Sequence, residues 1–128
     1  MNESLQIGDT VKAPYKTGVY IGEITNIRPE HYLVKVLSVL KHPTQGDLHS
    51  HKSVDVPIFH ERRALAEREQ TNIPKQMVKR FDGEVPGYKE SLKGAIDKLR
   101  QELESEKSDW SRMSIEKLNI LEKDYFKE

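Results

Sequence analysis

Three of the five histidines, His42, His49 and His51, stand close together, with Asp47 between them and His60-Glu61 a little further on. Imidazole and carboxylate groups at short separations are a donor set for zinc or another transition metal. His42, His49 and His51 are therefore the candidate ligands. Their spacing matches no defined site, and rings on a loop need outer hydrogen bonds to fix them, so the plainer reading is a polar loop rich in histidine. His60-Glu61 opens HERR, but Ala64 occupies the place where HExxH needs its second histidine.

Nucleophiles are scarcer still. The chain has no cysteine, which excludes disulfides, thiolate nucleophiles and thiolate-held zinc within it. GxxxxGK[ST], GxGxxG and GxSxG are all missing. Glu102, Glu104 and Glu106 fall in a helical pattern, where such charges form a solvated face. With no hydroxyl or amine placed beside a base, the expectation is a protein without catalytic activity or cofactor.

The 21 Lys+Arg balance 21 Asp+Glu. The balance is also local: residues 1–86 carry 12 basic and 11 acidic side chains, and residues 87–128 carry 9 and 10. Phosphate neutralisation supplies most nucleic-acid affinity and needs a basic surplus, so a nucleic-acid partner is not expected. No stretch approaches the roughly 18–20 apolar residues of a membrane span, and the N-terminus lacks a charged region followed by an apolar run. These features predict a cytoplasmic protein with no direct membrane insertion.

The elements that must position these groups follow from periodicity. Residues 7–41 read as three strands. TVKAPY alternates, and Lys16-Thr17-Gly18 supplies a turn in which Gly18 is free to take positive φ. GVYIGEITNI is rich in β-branched and aromatic residues, with Gly22 marking a bulge or bend. HYLVKVLSVL is apolar at most positions and predicts a central strand buried on both faces. Pro43, Gly46, Asp47, Ser50 and Ser53 make residues 42–57 a long loop. RRALAEREQ contains good helix formers, yet Thr71-Asn72-Ile73 reads as strand and Ile73-Pro74 as the start of a single turn. The expectation over residues 58–81 is strand, 3₁₀ turn, strand, closing a small barrel. Beyond the DGEVPG linker, Val85, Tyr88, Leu92, Ala95, Ile96, Leu99 and Leu103 form one helical stripe. Ser108 or Asp109 caps a second helix with Trp110, Ile115, Leu118, Leu121, Tyr125 and Phe126 on its stripe. Met113 and Ile120 lie a heptad apart on the other side. The fold class is therefore α+β: a five-stranded SH3-like β-barrel over residues 6–82, a linker over 83–87 and an antiparallel α-helical hairpin extension over 88–126.

Gly8-Asp9-x-Val11, Gly18, Gly22, Ile24 and Ile27 resemble the SH3-like KOW and Tudor group, which would imply a nucleic-acid-binding module. YKTGVYIGEI, HYLVKVL, HPTQGDLH, DVPIFHERRALAEREQTNIP and GEVPGY span nearly the whole chain. They resemble the kinase-associated protein B family of spore-forming bacteria, also called kinase-associated lipoprotein B. That resemblance implies a barrel followed by helices, no catalysis, and a role in the sporulation phosphorelay as a factor needed by a membrane sensor histidine kinase. A lipoprotein needs a signal peptide and a lipobox cysteine, and neither is found here. The resemblance thus implies membrane proximity only through the cytoplasmic part of the kinase. The expected partner contacts are the 42–51 loop with Gln45, Asp47 and His49, the charged strip His60, Glu61, Arg62 and Arg63, and the outer helical face at Met113 and Ile120. Two other readings stand beside this one: a KOW- or Tudor-like nucleic-acid binder, and a metal-dependent protein using the histidine-rich loop.

Overall fold

A computed structural model describes residues 4–46 and 60–127. Asp47, His49 and His51 lie outside them. The described chain forms an antiparallel sheet, β1 (Thr10–Tyr15), β2 (Gly18–Ile27), β3 (His31–Lys41), β4 (Gln70–Pro74) and β5 (Lys79–Arg80), followed by α1 (Tyr88–Glu106) and α2 (Asp109–Tyr125). The strand order is β4-β3-β2-β1-β5.

The first three strands form where alternation places them. The two-residue turn Lys16-Thr17 joins β1 to β2, with Tyr15 opposite Gly18. Positive φ falls on Lys16, at 53°, and not on Gly18. Gly18 is needed for a different reason: a Cβ there would come within 2.6 Å of the Tyr20 hydroxyl. Gly22 does mark a register shift between β2 and β3. A Cβ on it would meet Val34 Cγ1 at 2.5 Å and the Lys35 carbonyl oxygen at 2.6 Å.

Two expectations need correcting. β3 is interior but not buried on both faces: Val34, Val36 and Ser38 are buried, whereas Leu33, Lys35 and Leu37 are half-buried and Leu40 is exposed. The sheet also does not close into a barrel. β4 and β5 are its two edges, and no ladder joins them. The expected turn, Lys75–Met77, does connect them. However, Pro74 ends β4 without an N–H to donate and β5 is two residues long, so neither edge offers a run of ladder bonds. Side chains hold the curled sheet instead. Val11, Ala13, Ile24, Val34, Ile73 and Val78 bring four strands and the residue before β5 into one cluster.

A second cluster joins the sheet to the helices through Tyr20, Val36, Val39, Leu92, Ile96, Leu99, Trp110 and Leu118. Burying each large aliphatic side chain contributes about 1.5–3 kcal/mol. Val85, expected on the first stripe, precedes α1 and is exposed; the rest of both helical stripes turns inward as the spacing predicts, and polar pins fix the angle. Ser38 Oγ donates to the Pro86 carbonyl, and Ser91 Oγ accepts from Val39 N at 2.9 Å, which ties the start of α1 to β3. Lys107 turns the chain at φ 55°, and Ser108 opens α2 with a reciprocal capping box to Ser111. Lys93 and Arg100 on α1 meet Glu122 on α2, the pairing of an antiparallel hairpin.

The contacts around Gly22 set a steric limit. Gly22→Ala is expected to lower the unfolding free energy by about 3 kcal/mol, because the Lys35 backbone carbonyl cannot yield as a flexible side-chain tip can. Urea denaturation measures it. A loss below about 0.5 kcal/mol would show that β3 moves aside freely.

Candidate functional site

Between Pro43 and Gly46 on one side and His60 to Glu69 on the other, the chain makes neither helix nor strand. RRALAEREQ is not the helix its propensity allows, and the strand starts only at Gln70. Arg68, at φ 68°, turns the segment toward the sheet, and Arg68 N and Glu69 O bond to Val36 of β3. Buried backbone groups of such a segment need partners from elsewhere.

Three tyrosine hydroxyls supply them. Tyr125, at the end of α2, accepts from Ala64 N at 2.8 Å. Tyr20, on β2, accepts from Leu65 N at 3.1 Å. Tyr88, at the start of α1, donates to the Leu65 carbonyl. The base of the segment is clamped by a glutamine that imitates a strand neighbour. Gln45 Nε2 donates to the Arg62 carbonyl at 2.8 Å, and Gln45 Oε1 accepts from Arg62 N at 2.9 Å. Gly46 N donates to the His60 carbonyl, and Arg62 Nε donates to the Gly46 carbonyl, both at 2.9 Å.

His42 completes the network. It is fully buried. Nδ1 lies 3.0 Å from the Pro43 carbonyl, which can only accept, so Nδ1 carries the proton. Nε2 therefore accepts from the Tyr125 hydroxyl at 2.9 Å. The Tyr125 hydroxyl thus donates to His42 and accepts from Ala64. Desolvation lowers the His42 pKa to about 4 against the Pro43 hydrogen bond, which favours the charged form. Burial likewise pushes Tyr20 up to about 12 and raises Tyr88 and Tyr125. All three hydroxyls keep the protons that the network uses.

This geometry reassigns His42. Both its ring nitrogens are committed, so it does not offer a lone pair to a metal. No group of three or more His, Asp or Glu able to hold a metal occurs among the described residues. Gln45, at 3% exposure, has its amide turned inward and shapes the surface from below. His60, Glu61 and Arg63 are exposed and Arg62 is half-buried, and Glu61, Arg62 and Arg63 border one cleft. Arg63 pairs with Asp124 and lies 5.1 Å from the Tyr125 ring centroid. On the helices, Ile120 is 55% exposed, but Met113 packs against the core instead of facing out with it. Beside the strip is a cleft of about 310 Å³ bounded by the Lys16-Thr17 turn, Tyr20, Arg62 and Leu65.

Sequence reasoning missed Tyr20, Tyr88 and Tyr125 as polar groups, because Tyr20 counted as a strand aromatic and the other two as helical stripe residues. The available signal was tyrosine in place of phenylalanine at one core and two core-edge positions, since a hydroxyl drawn out of water requires a partner.

Two expected outcomes follow from the network. The unfolded imidazole takes up its proton near pH 6.5 and the folded one near 4, so the unfolded state binds more protons between them. The contribution of neutral His42 is complete above pH 6.5 and is lost as pH falls toward 4, by about 3 kcal/mol in all. Unfolding free energy measured against pH is expected to fall less steeply over that window in His42→Gln; identical slopes would contradict the assignment. Tyr125→Phe removes the partner of both His42 and Ala64, and is expected to cost about 2–3 kcal/mol in urea denaturation. A neutral substitution would mean that water serves both groups equally well.

Comparisons with known proteins agree with this architecture. Residues 15–126 match the family model described as Kinase associated protein B. The chain is 59% identical over 123 residues, 96% of each chain, to a protein named Kinase-associated lipoprotein B from Bacillus subtilis (strain 168). It superposes with a TM-score of 0.81 and 49% identity on the crystal structure of kinase-associated protein B from Bacillus cereus, covering 95% of this chain and 98% of that one. No helix among the described residues is long and apolar enough to cross a membrane. On the extent and identity of these matches, the chain belongs to the kinase-associated protein B family.

Proposed function

We propose that this protein is a non-enzymatic accessory factor that binds the cytoplasmic part of a membrane sensor histidine kinase and supports its activity in the sporulation phosphorelay. The observation that carries the reading is the 59% identity, over 96% of both chains, to a relative whose name associates it with a kinase. The site's chemistry supports a binding role. Its buried His42 and Tyr20 and half-buried Tyr88 and Tyr125 are occupied in the network that holds backbone, and the charged groups above them are exposed. The contact residues we put forward are His60, Glu61, Arg62 and Arg63, with Ile120 as a separate apolar point on α2.

Binding alone changes no activity. An accessory protein shifts a kinase only by preferring its active conformation, and a tenfold shift needs about 1.4 kcal/mol of preference. The test is to add the purified chain to the cytoplasmic part of a sensor histidine kinase from the same cell and follow autophosphorylation. The expected result is a saturable complex and a saturable rise in phosphorylated kinase. No complex with any such kinase, or turnover of a substrate by the isolated chain, would overturn the reading.

A further inference from the structure

We propose that the cleft between the β1–β2 turn and the tyrosine-held segment is a peptide site that takes an uncharged, proline-containing extended stretch of a partner protein, with Tyr20, Thr17 and Arg62 donating hydrogen bonds to its carbonyls. The inference stands on the cleft's own geometry and goes beyond the kinase reading, since it does not depend on which protein carries the stretch.

The charges lining the cleft cancel: Lys16 and Arg62 stand against Glu61 and Glu69, and Arg63 is met by Asp124. What distinguishes the cleft is its store of unused donors. Tyr20, only 2% exposed, accepts from Leu65 N at its phenolic oxygen. Thr17 Oγ1 accepts from Thr44 N at 2.9 Å. Each hydroxyl has one proton to donate as well, and among the described residues neither proton meets an acceptor. Glu69 directs Oε1 to Ala66 N and not to the Tyr20 hydroxyl. Arg62 donates through Nε to the Gly46 carbonyl, while its terminal nitrogens meet no acceptor among the described residues. Water serves Thr17 and Arg62, which are half-buried. For Tyr20 the case differs, because a donor drawn out of water without an acceptor costs about 1–3 kcal/mol.

Three donors with unspent protons match an occupant rich in acceptors and poor in donors. A polyproline II stretch is such an occupant: its carbonyls make no internal hydrogen bonds, and each proline lacks an N–H. The rest of the lining suits its side chains. Tyr15, Pro43 and Leu65 stand beside Tyr20 and offer the aromatic and apolar surface on which pyrrolidine rings pack. A volume of about 310 Å³ lies at the lower end of the range for ligand clefts and has room for a short stretch of chain. The donors are fixed before any occupant arrives, Tyr20 by Leu65 N, Thr17 by Thr44 N and Arg62 by the Gly46 carbonyl. A stiff chain meeting fixed donors binds at low entropic cost.

Acetyl-hexaproline amide, acetyl-hexaglutamate amide and a neutral glycine-serine peptide of the same length are titrated separately into ¹⁵N-labelled protein. Expected for hexaproline are saturable amide shifts centred on Lys16, Thr17 and Leu65 that persist at high salt, with nuclear Overhauser contacts from the peptide rings to the Tyr15 and Tyr20 rings. The other two peptides should bind more weakly. Tyr20→Phe is expected to weaken hexaproline binding about tenfold, the loss of one hydrogen bond to a carbonyl. Because Leu65 N also loses its acceptor in that variant, the Overhauser contacts in the wild-type chain decide should Tyr20→Phe lose its cooperative melt. Four results would overturn the proposal: no hexaproline shifts, shifts centred on another face, tighter binding of hexaglutamate, or a folded Tyr20→Phe with unchanged affinity. A long-lived water at the Tyr20 hydroxyl that hexaproline does not displace would overturn it equally.

Discussion

A stretch of backbone that enters neither helix nor sheet must still satisfy its N–H and C=O groups when it is buried, and this constraint organises the molecule. Residues 60–69 cross the face where the sheet meets the helices. The amides of Arg62, Ala64 and Leu65 and the carbonyls of Arg62 and Leu65 are met by hydroxyls from β2, α1 and α2 and by the amide of Gln45, while Arg68 and Glu69 bond to Val36 of β3. Each element therefore does two things at once. Its apolar stripe fills the core, and one tyrosine on that stripe reaches through to hold the irregular segment. Gly18 belongs to the same arrangement, since any side chain there would displace the Tyr20 hydroxyl from Leu65.

The consequence is an exposed charged strip whose shape depends on tertiary structure. The exposed side chains of His60, Glu61 and Arg63 ride on a backbone that has no local reason to adopt its path. A surface of this kind keeps its geometry only while α2 is docked, because Tyr125 and Asp124 on its last turn reach Ala64 and Arg63. Charge adds little to the stability of this arrangement, since the Arg63–Asp124 pair is well exposed and screened. The part-buried His42–Tyr125–Ala64 chain of hydrogen bonds is less exposed to water than that ion pair and is the stronger tie.

Local patterns carried much of this fold. Alternation in TVKAPY and GVYIGEITNI, the Pro-led turn before β5, the two helical stripes and the Ser108 cap are all short-range signals, and the structure follows them. What depended on long-range partners was not legible. Nothing near RRALAEREQ says that it will run irregularly, because the groups that hold it there are distant in sequence. His42 looked like a ligand because a histidine beside Pro43 in a polar loop gives no sign of burial; its partner, Tyr125, stands at the far end of the chain. Barrel closure failed for a similar reason. Strand number is local information, whereas the pairing of two short edges depends on how far the whole sheet curls.

The claim at the centre of this account is that Ala64 and Leu65, in the middle of the irregular segment, are a fixed part of the fold, held by tyrosine hydroxyls. Native-state amide hydrogen exchange at Ala64 and Leu65 tests it most directly. Both amides point at a phenolic oxygen, so they should be protected to nearly the same degree as the β3 amides and exchange only with large-scale opening. Exchange at the rates of an unstructured peptide, with β3 still protected, would contradict it.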